Sequence, residues 1–358
     1  ACAAYGDTTP CTGGQLGGVD GSGYCEPGYV GPLCSVCDAG FWNETRYFEE
    51  RYAECKRCPS ASYFSALYIS LICIPLVLFI VLRHVHNTGS PRKLAQFLVQ
   101  SMMYWKSLSL EARCKQLIGF AQVITAVGST YSVPTPPIYE VFLQAIEWVY
   151  LDVFGDLFIA TECLGGYRNL VLIVALFPFG IFILGALFRT AVLLMKALRA
   201  HKRPDKVSDE GRKSITELRT WRGLFRQGLL QTLPLALILI FLFCPSISAV
   251  VFDAFHCESF STNTDAGEER YFLYNYRDIE CYSSDQLYYA NLNLALVFIL
   301  LWPVGSLIFW AVLLRRARHA LTEHKPTSFS RALSFMYRDY RSDLYYWEWL
   351  ELFRKLFL

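Results

Sequence analysis

Five long apolar stretches dominate the pattern of hydrophobic and polar positions along the chain. They cover residues 63–82, 117–133, 170–188, 228–250 and 288–314. A hydrocarbon core of ~30 Å needs roughly 20 helical residues to cross it. Inside lipid, each backbone polar group must also find its hydrogen bond within its own segment. The pattern therefore predicts an all-α polytopic membrane bundle.

The predicted bundle follows a small N-terminal domain. Residues 1–60 are rich in cysteine and glycine, and residues 61–358 hold the apolar stretches. We expect about six crossings, of which the last is incomplete where the chain stops. The crossings are predicted near residues 63–83, 117–133, 170–195, 228–250, 288–314 and 346–358.

The charge between the apolar stretches alternates in sign and orients the bundle. Cytoplasmic loops collect Lys and Arg, and three segments carry net charges of +5, +6 and +4, namely residues 82–115, 196–227 and 313–343. Three others carry −4, −4 and −6, namely residues 1–62, 132–169 and 251–286. The first group is predicted inside, and the second group is predicted outside or in a lumen.

Residues 138–163 are apolar but contain five carboxylates, at Glu140, Glu147, Asp152, Asp156 and Glu162. A lipid-facing carboxylate at mid-bilayer costs at least ~2.5 kcal/mol. A crossing here would also move the basic segment 196–227 outside. We interpret residues 138–163 as an outer-surface or re-entrant helix. Partial insertion of both 117–133 and 138–163 has the same topology and stays open.

Seven of the thirteen cysteines lie within residues 1–60. A segment this short needs covalent or metal cross-links, because it cannot bury a sufficient core. Cys34-x2-Cys37 and Cys55-x2-Cys58 have zinc-ribbon spacing. Disulfides are favoured over zinc, because the charge pattern places the segment outside and Asn43-Glu-Thr45 is a glycosylation acceptor.

The module resembles known extracellular repeats. Cys25-Glu-Pro-Gly28-Tyr29-Val-Gly31-Pro-Leu-Cys34 is similar to the closing loop of EGF-like modules. Cys37-Asp-Ala-Gly40-Phe41-Trp42 resembles a laminin-type or ephrin-receptor-like repeat. This resemblance implies that Cys25 pairs with Cys34 and that Cys37 pairs with Cys55.

The remaining cysteines suggest further links. Seven is odd, so one cysteine of the module has no local partner, and Cys163, predicted outside, is a candidate for it. Cys257 and Cys281 flank the outer loop 251–286, and a disulfide between them is the natural expectation. Cys244 lies in an apolar stretch and is expected to be a small buried hydrophobe.

Polar and helix-breaking residues inside the predicted crossings are candidates for function. Trp302-Pro303-Val-Gly305 combines a proline and a glycine within one crossing. Near the end of the chain, Glu351 and Lys355 have i,i+4 spacing, and Glu348 and Glu351 have i,i+3 spacing. These charges fit either the interfacial start of a helix or part of an ion pathway, and both interpretations stay open.

Residues 257–358 resemble TRP-like polytopic domains. The resemblance rests on the paired outer loop, the Pro-Gly crossing, Arg331-Ala-Leu333-Ser-Phe335 and Trp347-Glu348-x-x-Glu351-x-x-Arg354-Lys355-Leu356. Such domains form the membrane end of large cysteine-rich surface proteins of algae and other protists. The resemblance implies a cation channel subunit with an outer sensing or tethering module. A non-conducting receptor or anchor is the alternative, because no selectivity-filter motif is recognisable.

If the protein conducts, the acidic outer face favours cations. The candidate ion path is then formed by the carboxylates nearest the bundle, which are Glu140, Glu147, Asp152 and Asp156. Phosphate-loop, His-Glu-x-x-His and Gly-x-Ser-x-Gly motifs are missing from the sequence, so we expect no enzyme, no cofactor and no bound metal. The basic residues are dispersed beside the crossings, so nucleic acid is not expected as a partner.

Localisation and partners follow from the same pattern. We expect the protein to lie in the plasma membrane, which includes the ciliary membrane, or in another membrane of the secretory pathway. The N-terminal module is expected outside. The expected partners are membrane lipids, extracellular or membrane proteins, and further subunits of a homo- or hetero-oligomer. The start at Ala1 and the stop at Leu358, inside a predicted crossing, suggest a portion of a longer protein.

Overall fold

A computed structural model describes residues 9–12, 23–49, 52–58, 110–131, 136, 139, 142–143, 161–202, 220–261, 269–283, 286–323 and 327–357. The chain divides into two compact units. The first comprises Ala1–Ala121, Gly155–Gly166 and Ser259–Arg270. The second comprises Gln122–Phe154, Tyr167–Glu258 and Tyr271–Leu358.

The N-terminal module in the first unit consists of two small antiparallel hairpins. Strand β1 (Tyr29–Val30) pairs with β2 (Val36–Cys37). A four-residue helix, α1 (Ala39–Trp42), leads to β3 (Arg46–Glu49), which pairs with β4 (Glu54–Arg57). These elements are too short to bury a large core, so cross-links have to stabilise them.

Three disulfides between described cysteines contribute to that stabilisation. Cys25 is bonded to Cys34, and Cys37 is bonded to Cys55. These are the pairs that the resemblance to extracellular repeats implies. Cys58 is bonded to Cys163, the outer cysteine suggested as the partner of an unpaired module cysteine. All four zinc-ribbon cysteines, Cys34, Cys37, Cys55 and Cys58, are therefore in disulfides and cannot serve as thiolate ligands.

Gly28 sets the turn that precedes β1. Its φ is +93°, and a Cβ at this position would lie 2.8 Å from the ring of Phe41 and 2.9 Å from the ring of Trp42. The indole Nε1 of Trp42 donates to the Gly28 carbonyl at 3.1 Å. The Arg46 guanidinium lies 3.8 Å from the centre of the Trp42 ring. A side chain at Gly28 would disturb this stack, so glycine is required here.

The remainder of the structure is mainly helical. Helix α2 (Leu110–Tyr131) is followed by a short 3-10 helix (Thr161–Leu164), α3 (Tyr167–Lys202) and α4 (Trp221–Phe252). Strands β5 (Cys257–Ser261) and β6 (Glu269–Leu273) pair, and Cys257 is bonded to Cys281 as expected. The later helices are α5 (Gln286–Ile299), α6 (Gly305–Thr322), α7 (Ser328–Ala332), α8 (Ser334–Tyr337) and α9 (Trp347–Phe357).

Three of the described helical segments are long and apolar enough to cross a membrane. They are Tyr167–Met195, Arg222–Phe255 and Gln286–Thr322. They coincide with the crossings predicted near 170–195, 228–250 and 288–314. Helix α2 covers most of the stretch predicted near 117–133, and α9 lies in the stretch predicted near 346–358. The crossing predicted near 63–83 and most of 138–163 lie outside the described residues.

Helices α3 and α4 approach closely where each has a glycine. A Cβ on Gly185 of α3 would lie 2.6 Å from Leu235 Cδ2, and a Cβ on Gly228 of α4 would lie 2.5 Å from Thr190 Oγ1. The Thr190 hydroxyl is fixed in place, because it donates to the Ala186 carbonyl at 2.7 Å. Small residues of this kind allow membrane helices to pack backbone against backbone.

A π-helical segment, Leu300–Val304, interrupts the long helix between α5 and α6. Pro303 lies within this segment. Proline interrupts an α-helix, because it has no N–H to donate to the hydrogen-bond ladder and its ring clashes with the preceding turn. The indole Nε1 of buried Trp302 donates to the Ala175 carbonyl of α3 at 3.1 Å. The Pro-Gly combination singled out in the sequence is thus a local change of helix type that is tied to α3.

The close packing of α3 and α4 can be tested by substitution. Gly228→Val should destabilise the protein by about 1–3 kcal/mol, the usual range for overpacking, because the new side chain meets Thr190. Gly180→Val on α3 is the matched control, since a Cβ there meets nothing within 4 Å. Thermal unfolding in detergent measures both, and equal midpoints for the two variants would contradict the packing described here.

Candidate functional site

Helix α9 exposes large apolar side chains and buries a carboxylate. Its large apolar side chains point outward, with Phe353 42% exposed and Phe357 72% exposed. On its inward face, the Glu348 carboxylate side chain is only 2% exposed and lies one turn before buried Leu352. Outward apolar side chains and inward charges are typical of a helix with lipid on one side.

The ammonium group of Lys355 joins three helices of the second unit. Lys355 Nζ donates to Gln122 Oε1 of α2 at 2.9 Å. It also lies 4.0 Å from the centre of the Phe241 ring of α4. Gln122 is 3% exposed, and its Nε2 donates to the carbonyl oxygens of Leu242 at 3.0 Å and Phe241 at 3.4 Å. We call Lys355, Gln122 and Phe241 the ammonium cluster.

The ammonium cluster lies well inside the helical span. Phe241 is eleven residues from the end of α4 at Phe252, which is ~17 Å at 1.5 Å per residue. Gln122 is nine residues from the end of α2 at Tyr131, which is ~14 Å. These distances place Phe241 and Gln122 roughly three helical turns away from the ends of α4 and α2.

A hydroxyl group is the partner of the buried carboxylate of α9. The Tyr340 hydroxyl donates to Glu348 Oε2 at 2.8 Å. Burial, together with the negative charge of Glu348, raises the pKa of Tyr340 above its ordinary value. The phenol therefore stays protonated across the physiological range and remains a donor to the carboxylate.

Other polar groups lie inside the same unit. Cys244 of α4 is fully buried, as expected for a small hydrophobe, and its Sγ lies 3.1 Å from Ser306 Oγ of α6. Asn291 of α5 is 2% exposed. Among the described residues, its Oδ1 is a buried oxygen without a hydrogen-bond partner. The interior of the bundle thus contains amide, hydroxyl, thiol and charged groups between its apolar helices.

The charges of α9 pair differently from the i,i+4 arrangement suggested by the sequence. Arg354 Nη2 lies 2.8 Å from Glu351 Oε2, so Glu351 pairs with Arg354 at i,i+3 spacing and not with Lys355. Lys355 instead reaches Gln122 on another helix. Sequence reasoning missed Gln122 and Tyr340. The available signal for Gln122 was a polar residue within a predicted crossing.

The structure does not test the predicted ion path or the predicted glycosylation site. The candidate ion path, Glu140, Glu147, Asp152 and Asp156, lies outside the described residues. Asn43 is exposed at the end of α1, where a glycan has room, and its modification stays a prediction. Across the described ranges, no group of three His, Cys, Asp or Glu side chains is arranged to hold a metal ion.

A double-mutant cycle tests the ammonium cluster. Gln122→Leu should destabilise the protein, because it removes the amide that accepts the hydrogen bond from the partly buried Lys355 ammonium. Lys355→Met in the same chain should restore part of the stability, giving a coupling energy of about 1–3 kcal/mol. Thermal unfolding of the four proteins in detergent measures this coupling.

The exposed pair Glu351 and Arg354 is the matched control for this cycle, since both side chains are partly solvated and lie on one helix. Glu351→Gln and Arg354→Gln should couple by only about 0.3–0.5 kcal/mol. Equal coupling energies in the two cycles would mean that the ammonium cluster is not a buried interaction.

No protein-family model, curated protein or solved structure matches this chain. The site's chemistry is therefore inferred from its own residues. The second unit contains the Lys355 ammonium and the Glu348 carboxylate among its helices. The disulfide-stabilised module precedes these helices in the chain.

Proposed function

We propose that the protein is a multipass cell-surface membrane protein that acts as a TRP-like cation channel subunit. In this proposal, its EGF-like module lies outside and senses a ligand or a force. The bundle has about six crossings, of which the last begins with α9. The proposal joins the resemblance of residues 257–358 to TRP-like domains with the arrangement of charges on α9.

The inward polar face of α9 is the observation that carries the proposal. A bundle that only anchors a surface module needs apolar crossings, and charges inside it are costly. Here the Lys355 ammonium contacts α2 and α4, and the buried Glu348 carboxylate accepts from Tyr340, while Phe353 and Phe357 are exposed. Ionisable groups in such positions mark ion or substrate pathways in many membrane proteins, and this supports a conducting bundle over a passive one.

The charge of the outer segments supports cations as the conducted ions. The outer segments carry −4, −4 and −6, and such a surface concentrates cations over about a Debye length. Glu140, Glu147, Asp152 and Asp156 remain the proposed outer part of the path.

Reconstitution in planar bilayers tests conduction. We expect the full-length protein to give unitary currents with K⁺ favoured over Cl⁻. Lys355→Met should change the open probability, because it removes the charge that joins three helices. Arg354→Gln, on the same helix but exposed and paired with Glu351, is the control and should leave the open probability unchanged. Silence across voltage, membrane tension and Ca²⁺ would reject the channel proposal.

A surface receptor or anchor is the second candidate, and the Cys58–Cys163 disulfide favours it. Cys163 lies four residues before α3 begins at Tyr167. The module is thus attached to the rest of the chain both by the peptide that follows Cys58 and by a bridge that closes a loop with a sequence separation of 105. In the chain-entropy model, a loop of this length stabilises by roughly 4–5 kcal/mol. Attachment of the module at two points suits a protein that bears mechanical force at a cell surface.

An inserted protease site between residues 59 and 62 tests the double attachment. After cleavage, the module should stay bound to the remainder on a non-reducing gel and should be released by reduction, because Cys58 is bonded to Cys163. The Cys58→Ser/Cys163→Ser variant should release it without reduction, whereas Cys257→Ser/Cys281→Ser should retain it. Release from the unmodified sequence without reduction would contradict the bridge.

A further inference from the structure

A groove of about 440 Å³ lies between the end of α6 and the start of α9. Arg315 and Arg318 line it from α6, and Tyr345, Tyr346 and Trp349 line it from the other side. The two arginines are three residues apart and therefore share one face of the helix. The Trp349 ring is held in position, because its Nε1 donates to the Leu307 carbonyl at 2.9 Å.

Both guanidinium groups are available to a ligand. Among the described residues, no carboxylate lies within 4.0 Å of Arg315 or Arg318. Two acidic residues of the chain segment that forms the far wall have other partners. Asp343 lies 3.3 Å from Arg341, and Glu348 accepts the hydrogen bond of Tyr340. The groove therefore presents two positive charges that no carboxylate of the described residues neutralises.

The groove lies at the level expected for lipid headgroups. Arg315 and Arg318 belong to the last turns of the apolar span Gln286–Thr322, in the +4 segment that the charge pattern places inside. Tyrosine and tryptophan are enriched at this level of a membrane, where one end of the ring is apolar and the other is wet. The remaining wall is apolar and is formed by Ala311 and Leu314.

We propose that this groove binds the headgroup of an anionic phospholipid of the inner leaflet. The fork of donors on each guanidinium matches the oxygens of a phosphate group. Ala311 and Leu314 give the glycerol and the first acyl carbons an apolar surface. Basic sites between helices on the cytoplasmic side suit this class of ligand. The proposal depends on the membrane placement of α6 and not on conduction, so it can fail or hold separately from the channel proposal.

The position of the groove gives the lipid a role in regulation. One wall of the groove is continuous with α9, since Tyr345 and Tyr346 precede this helix and Trp349 belongs to it. Lys355 of the same helix belongs to the ammonium cluster. A bound phosphate would link α6 to the first turn of α9. Loss of the lipid would leave α9 held by the Trp349 hydrogen bond, the contacts of Glu348 and the ammonium cluster.

Binding of short-chain lipids to the purified full-length protein in neutral detergent tests the proposal. Dioctanoyl phosphatidic acid should bind, and dioctanoyl phosphatidylcholine should bind at least about tenfold more weakly, since its phosphate carries less negative charge and is attached to a cationic choline that the arginines repel. Arg315→Gln/Arg318→Gln should weaken phosphatidic acid binding about tenfold or more. Arg316→Gln is the matched control, because Arg316 is exposed on the same turn but does not line the groove.

The outcomes separate the proposal from its competitors. Equal loss in the Arg316→Gln control would mean that general surface charge attracts the lipid, and equal binding of both lipids would mean that phosphate charge is not recognised. Inorganic phosphate that competes as tightly as the lipid would identify a site for a free anion. Each of these results would overturn the proposal. A thermal unfolding midpoint that is unchanged without lipid shows that the double variant is folded. If the double variant does not fold, Arg318→Gln alone takes its place, and a smaller loss of phosphatidic acid binding is expected.

Discussion

The hydrogen bond from Lys355 to Gln122 illustrates the constraint on which the bundle depends: a polar group among apolar helices needs a hydrogen-bond partner, and a partner on another helix ties the two helices together. The same solution recurs in the contacts of α3 with its neighbours. Trp302 donates to the Ala175 carbonyl, and the Tyr167 hydroxyl donates to the Val250 carbonyl at 2.9 Å. Apolar side chains would pack in many registers against lipid-like neighbours. These polar contacts favour one register between the helices that they join.

The exposure of apolar side chains follows from the same constraint. Leu184, Leu187 and Ile308 on the spanning helices are more than half exposed, an arrangement that would be unfavourable over so large a surface in water. In a hydrocarbon solvent their exposure costs little, and the helices gain their affinity from close approach instead. Two glycines allow that approach between α3 and α4. Gly185 of α3 faces Leu235 of α4, and Gly228 of α4 faces Thr190 of α3.

The parts of the fold that sequence could predict are those set by one segment at a time. Apolar length gave the positions of α3, α4 and the Gln286–Thr322 span, since a helix in lipid satisfies its own backbone. Sequence also indicated Cys257 with Cys281, because the two residues flank one loop. The partners of Lys355 could not be predicted in this way. Helical spacing suggested Glu351, whereas Gln122 lies 233 residues away in the chain and only the packing of α2 against α4 and α9 brings it near.

Covalent and non-covalent contacts are distributed unequally over the described part of the bundle. Disulfides involve Cys163, just before α3, and join Cys257, after α4, to Cys281, before α5. All of these positions are on the side that the charge pattern places outside, where disulfides persist, while a reducing cytosol would not preserve such bonds. The described residues of α6 to α9 are held by hydrogen bonds, rings and ion pairs. The described disulfides therefore lie outside α6 to α9, the region that contains the ammonium cluster's lysine and the arginine groove.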